Sequence, residues 1–148
     1  MYYFAYGSNM NQDRMIERKM EFASLYKGIL KDWKLVFNKK AYNKEGIGYA
    51  NIVPSISSNV EGIIYKIEDE AIKYLDKAES YPKHYLKKDL FVELENGESL
   101  QCVTYIGNPL QIKEGLKPEK EYLGHLLKGQ KLLSKDYFDF LMNIETKD

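Results

Sequence analysis

A chain of 148 residues, 44% hydrophobic and 30% charged, has the composition of an ordinary globular domain with a core of its own. Its 22 Lys and Arg balance 22 Asp and Glu, so the whole chain lacks the positive footprint of a nucleic-acid or anionic-membrane binder. No apolar run reaches membrane-spanning length, and a lone cysteine, Cys102, excludes an internal disulfide or a multi-thiolate metal site.

Residues 1–5 are apolar and stop at Tyr6-Gly7-Ser8-Asn9-Met10, after which residues 11–20 are amphipathic. That order predicts a buried strand, a tight turn and a helix whose first N–H groups lack intrahelical partners. Such a turn suits an anion, because free N–H groups and the helix dipole both favour negative charge. Gly7 has no Cβ to hold a ligand off the backbone, while Ser8 and Asn9 add a hydroxyl and an amide. The same residues also read as an ordinary cap, with Ser8, Asn9 or Asn11 accepting from the helix's first turn. The opening Met1-Tyr2-Tyr3-Phe4 lacks the basic head and small-residue cleavage site of a signal peptide, so a cytoplasmic location is the default expectation.

Residues 22–38 alternate apolar and polar and predict strand, broken near Gly28 or Asp32. Residues 39–48 read as a loop, 49–53 as a short strand ended by Pro54, and 55–59 as a turn. Residues 60–67, rich in β-branched side chains, form the clearest strand. A helix is expected over 68–78, with Glu68, Asp69 and Glu70 on its first turn and Ala71, Ile72, Leu75 and Ala78 as its apolar stripe. It has to stop before Pro82, which leaves Glu79 and Ser80 at its C-terminal end. Residues 85–94 and 99–106 form a hairpin about Glu95-Asn96-Gly97-Glu98. Residues 107–118 read as a loop, and 119–133 and 134–144 as two closing helices, the second capped by Ser134. Strands outnumber helices, which predicts an α+β fold with a mainly antiparallel or mixed sheet, open or closed into a barrel. Thirteen tyrosines suit half-buried strands and pockets that need an apolar wall with a polar tip.

No set of His, Cys, Asp and Glu has metal-ligand spacing, and no glycine-rich loop carries a P-loop lysine. His84, in the polar turn Tyr81-Pro82-Lys83-His84-Tyr85, is expected at the surface, and His125 at the surface or half-buried on its helix. Cys102 shares a strand face with Leu100 and Thr104 and reads as a small core residue. The pairs Lys39-Lys40 and Lys87-Lys88 read as solvated strand ends. Glu79 stands apart from the other carboxylates. It ends an apolar helix with no cation at i−4 or i−3, and Pro82 separates it from Lys83. The helix dipole opposes a charge there, which raises the pKa toward the range useful to a general base.

Tyr6-Gly7-Ser8-Asn9-Met10 at a strand end, with Glu79 between a helix and a Tyr-Pro turn, resembles the gamma-glutamylcyclotransferase-like family. Gly48-Tyr49-Ala50-Asn51-Ile52-Val53-Pro54 and Val60-Glu61-Gly62-Ile63-Ile64-Tyr65 look like its two central strands. Lys117-Pro118-Glu119-Lys120-Glu121-Tyr122-Leu123, with Gly129 and Leu132-Leu133, extends the likeness over nearly the whole chain. The resemblance implies one domain over residues 1–148, a small mixed β-barrel with peripheral helices whose pocket opens at the end of the first strand. It implies release of a γ-glutamyl group as 5-oxoproline, from a small-molecule γ-glutamyl substrate and without a cofactor or metal. It assigns Tyr6, Gly7, Ser8, Asn9 and Met10 to the substrate-binding loop, Tyr122 to the pocket wall and Glu79 to acid/base duty. Ser80 departs from the glycine common after that glutamate, and φ > 0 there would strain it. Two readings compete: a non-catalytic module for small anions or γ-glutamyl peptides, and a protein-interaction module using exposed tyrosines.

Overall fold

The computed structural model describes residues 1–148. Five strands, β1 (Tyr2–Ala5), β2 (Ser24–Lys40), β3 (Gly48–Lys66), β4 (Tyr85–Glu93) and β5 (Ser99–Gly107), close into a barrel in the order β1-β3-β2-β4-β5. Four neighbouring pairs are antiparallel, and the barrel closes where β1 lies parallel to β5 at Tyr3 and Val103. The expected mixed barrel is what forms.

Helices α1 (Gln12–Glu17), α2 (Ile72–Ala78), α3 (Lys120–Leu127) and α4 (Lys135–Met142) lie between or after the strands. Each buries one or two apolar side chains, such as Met15, Leu75, Leu126 and Leu141, in a core shared with Phe4, Ile52, Ile63, Ile64 and Tyr65. α2 and α3 are shorter than their amphipathic patterns, because 3-10 turns take up Asp69–Ala71 before α2 and Gln130–Leu132 after α3, and another 3-10 turn, Ser8–Met10, precedes α1. A further 3-10 turn, Pro109–Gln111, sits in the expected loop before α3. Asn11 and Ser134 cap α1 and α4 through their side-chain oxygens. No helix is long and apolar enough to cross a membrane.

The long hairpin of β2 and β3 corrects several expected boundaries. β2 runs unbroken through Gly28, where a Cβ would stand 2.8 Å from Ile64 Cγ1 and 2.9 Å from Val92 Cγ1. Glycine there makes room for barrel-filling side chains and does not end the strand. The irregularity falls at Asp32, at φ +66°. Lys31 pairs with Asn59 and Trp33 with Pro54, so residues 55–58 bulge opposite Asp32 alone. The Ser57 N–H donates to Asp32 Oδ1 at 3.0 Å and holds the bulge. Pro54 and the expected turn at 55–59 are therefore parts of one long strand. β2 also continues to Lys40, which shortens the expected loop at its N-terminal end.

Most of the interior tyrosines act as struts, each carrying its ring in the core and tying its hydroxyl to a neighbour. Tyr65 donates to the Asn9 carbonyl at 2.7 Å, Tyr85 to the Ala50 carbonyl at 2.9 Å, and Tyr6 to the Tyr105 carbonyl. Tyr122 accepts from the Ala50 N–H at 3.1 Å. A buried hydroxyl without such a partner would destabilise the fold.

Candidate active site

Two connected spaces open at the end of β1. A small inner one, of about 30 Å³, lies among Tyr6, Gly7, Ser8, Asn9, Ala50 and Glu79, with further tyrosines behind them. A larger outer one, of about 400 Å³, is bounded by Arg14, Arg18, Lys39, Lys44, His84 and His125, among others. Ser8, Glu79, Tyr85 and Tyr122 line both and so stand at their junction.

The loop after β1 is fixed by its own hydrogen bonds and by Asn9. The Met10 and Asn11 N–H groups donate back to the Gly7 and Ser8 carbonyls at 3.0 and 3.1 Å. Asn9 is 2% exposed. Its Nδ2 donates to the Tyr3 hydroxyl at 2.9 Å and lies 3.5 Å from Glu79 Oε1, while its Oδ1 accepts from Arg18 Nη1 at 2.7 Å. Asn9 is thus a strut between the loop, α1 and the carboxylate. A Cβ on Gly7 would stand 3.2 Å from Ala50 Cβ and 3.4 Å from the Tyr122 hydroxyl. A Cβ there would press on Ala50 by a few tenths of an ångström, so the glycine also lets the loop pack closely against β3 and α3.

Of the residues expected at the site, Tyr6, Gly7, Ser8, Asn9, Glu79 and Tyr122 come together. Met10 does not reach either space. It is fully buried, and its side chain packs beneath Gly129, because the 3-10 turn points it into the core.

Glu79 follows α2 as its C-cap and is half-buried. Burial raises its pKa above the usual carboxylate range, while Arg18, Arg14 and Lys39 pull the other way. The direction matches the sequence argument, but the main cause is lost water and not the helix dipole. Arg18 Nη1 is 3.5 Å from Glu79 Oε1, so the cation that local sequence spacing lacks comes from α1. Ser80 adopts φ +50°, the left-handed conformation that a glycine would take without strain.

Three expectations about basic residues are corrected. Lys39 is not a solvated strand end. It is 3% exposed, its Nζ lies 2.6 Å from His84 Nδ1 and donates to the Lys40 carbonyl at 2.9 Å, and burial pulls its pKa down to about 8. His84, expected at the surface, is half-buried and lines the outer space with it. Lys87 is paired with Asp76 at 3.0 Å, while Lys88 is exposed as expected. His125 is half-buried, its Nδ1 3.0 Å from Asn11 Nδ2, and Cys102 is a buried core residue. No group of three or more His, Cys, Asp or Glu side chains is gathered as a metal site would require.

The model of the family described as gamma-glutamyl cyclotransferase, AIG2-like, matches residues 3–124. The chain belongs to this family. A human gamma-glutamylcyclotransferase is 28% identical over 153 residues, which cover 99% of this chain and 79% of the human one. A solved structure of a gamma-glutamyl cyclotransferase superposes with a TM-score of 0.85 at 26% identity, over 100% of this chain and 89% of its own. A yeast gamma-glutamyl cyclotransferase specific to glutathione shares the fold, with a TM-score of 0.71 at 14% identity over 96% of this chain and 93% of its own.

Within this family member, sequence reasoning missed Arg14, Arg18, Lys39 and His84. Arg14 and Arg18 lie on an amphipathic helix, where arginine ordinarily faces solvent. Here that face covers the mouth of the barrel. Arg14 also keeps a buried Nε without a hydrogen-bond partner. Nothing in the local pattern marks Lys39 as inward-facing, because a one-residue irregularity between Val36 and Lys39 resets the alternation.

Proposed function

We propose that the protein is a γ-glutamyl cyclotransferase that needs no cofactor, with Glu79 as its acid/base. The observation that carries this reading is Glu79 itself. It is a carboxylate with a raised pKa at the junction of two spaces, 3.5 Å from the loop residue Asn9.

The γ-glutamyl amide holds its own nucleophile. Its α-amino group reaches the side-chain carbonyl carbon by closing a five-membered ring, and holding the two together supplies roughly 7–11 kcal/mol through proximity. That amino group, with an ordinary pKa of ~8, arrives protonated. Glu79 takes the proton, and the freed nitrogen attacks the γ-carbonyl carbon. A C–N bond forms and the carbonyl oxygen gains charge. The amide C–N bond then breaks as Glu79 returns the proton to the departing nitrogen, and the ring nitrogen gives up its second proton to the released amine, leaving the neutral ring amide of 5-oxoproline and an ammonium or amino acid. Ser8 and the N–H groups of the Gly7–Asn9 loop, which lines the inner space, would donate to the oxyanion; losing one such donor costs ~3–4 kcal/mol. Tyr122 walls the pocket beside Tyr49, the ring centres 4.9 Å apart.

Release of 5-oxoproline from γ-glutamyl amino acids, γ-glutamylamines and glutathione tests the reading. Turnover is expected from the parent, and Glu79→Gln should lower it by ~10²–10⁴-fold while binding persists. No turnover by the parent on any of the three would favour a binding module. A Glu79→Gln variant retaining most of the parent rate would refute the mechanism.

A further inference from the structure

Lys39 is a buried ammonium without an anion. Its contacts to the Lys40 carbonyl and His84 Nδ1 account for two of its three donors. The rings of Tyr85 and Tyr49 lie 5.5 and 5.9 Å from Nζ. Other lysines at this mouth or beside it have carboxylate partners: Lys44 has Glu119 at 2.9 Å and Lys87 has Asp76 at 3.0 Å. Lys39 has none within ion-pairing distance. A buried charge left unpaired is costly and is held only where something else compensates it.

The place of Lys39 narrows what that anion is. It lines the outer space and not the inner one. In a γ-glutamyl substrate the α-carboxylate shares a carbon with the attacking amine and so stays near Glu79. A carboxylate on the leaving amino acid sits one carbon beyond the scissile nitrogen, on the outer side. His84 turns Lys39 toward that space. Burial and the two flanking lysines, Lys39 and Lys83, lower the His84 pKa, so near neutral pH its Nδ1 is a lone-pair acceptor and Nε2 carries the hydrogen.

We propose that Lys39 reads the leaving group: its ammonium, positioned by His84, binds the carboxylate of the released amino acid and makes γ-glutamyl α-amino acids better substrates than γ-glutamyl alkylamines. The inference rests on the cyclotransferase reading. The groups facing Lys39 are Glu79 from the end of α2, Lys40 beside it, Tyr49 of β3, and His84 and Tyr85 before and on β4. Burial brings the Lys39 pKa down to about 8, so carboxylate recognition fails as it deprotonates.

γ-Glutamylalanine and γ-glutamylethylamide differ only by that carboxylate. Their kcat/KM ratio cancels the shared α-amino ionisation, the Glu79 step and the general health of a variant's fold. The parent is expected to favour γ-glutamylalanine, and Lys39→Met to cut the preference by ~10-fold or more, the range of a charge-assisted hydrogen bond. In the parent, which needs no variant to fold, the preference should decline as pH rises past about 8. A ratio unchanged by Lys39→Met and flat with pH, or an equal loss on both substrates, overturns the inference while leaving the cyclotransferase reading intact. Absence of 5-oxoproline from both substrates with the parent removes that reading and this inference with it.

Discussion

The Tyr105 hydroxyl donates to Asp76 Oδ1 at 2.7 Å and ties helix α2 to strand β5. Lys87 of β4 donates to the other oxygen of the same carboxylate at 3.0 Å, with its ammonium 4.4 Å from the centre of the Tyr81 ring. Asp76 precedes Glu79 by three residues, so the two leave the last turn on the same side. The tie therefore holds the helix end from which Glu79 extends. Asp76→Ala should lower kcat for 5-oxoproline release at least ~10-fold with a smaller change in KM, since a displacement of about 1 Å can cost ~10²-fold. An unchanged kcat with lowered stability would make the tie structural only.

Glu79 also affects stability, with a definite sign. Its folded-state pKa is raised, chiefly by burial. Below the ordinary carboxylate range it is protonated in folded and unfolded chains alike and costs nothing extra. As pH rises toward and through the folded pKa, holding it ionised in the fold becomes unfavourable. Glu79→Gln should therefore have a higher Tm than the parent at pH 7. The gap should close by about pH 3–4, near and below the ~4.3 at which a glutamate in an unfolded chain titrates. A gap independent of pH would contradict the buried-carboxylate account.

Ser80 holds φ +50° at the turn that follows Glu79. The left-handed conformation costs a non-glycine residue about 1–2 kcal/mol, partly offset by the greater chain entropy that glycine loses on folding. Ser80→Gly is expected to stabilise the protein by up to about 1 kcal/mol, read as a higher denaturant midpoint with an unchanged slope. A lower midpoint would show that the serine has a compensating contact.

Gly7→Val tests the packing at the loop. The added Cβ would meet Ala50 Cβ at 3.2 Å and the Tyr122 hydroxyl at 3.4 Å, pressing on the bond between Tyr122 and the Ala50 N–H. Overpacking of this kind costs about 1–3 kcal/mol. The variant should lose stability and turnover together, and urea unfolding beside a turnover assay checks both. Loss of turnover with full stability would instead place the added methyls in the path of the ligand.

The clearest strands, the helix before Glu79 and the hairpin at residues 85–106 were legible because hydrophobic period, turn residues and proline agree there, while closure into a barrel was legible only through the resemblance. The β2–β3 bulge was not, since four residues facing one depend on Asp32 accepting from Ser57 across the sheet. At the site, the loop and Glu79 stood out through local chemistry and resemblance. Arg18, Lys39 and His84 did not, because each is brought in from a different element by barrel closure. Met10 misled for a related reason: it belongs to the motif in sequence but turns inward in space. The tyrosine excess pointed to walls and half-buried strands, and the hydrogen-bonded struts showed why the hydroxyls are kept.

The parallel seam between β1 and β5, at Tyr3 and Val103, joins positions about a hundred residues apart. The loop that follows β1 is made well before β5, and the barrel supporting it lacks its last stave until β5 has been made. Tyr122, which braces the loop through Ala50, is made later still. A nascent chain therefore carries the loop long before the seam that supports it can form, and a closed barrel braced by Tyr122 reports that synthesis has passed α3.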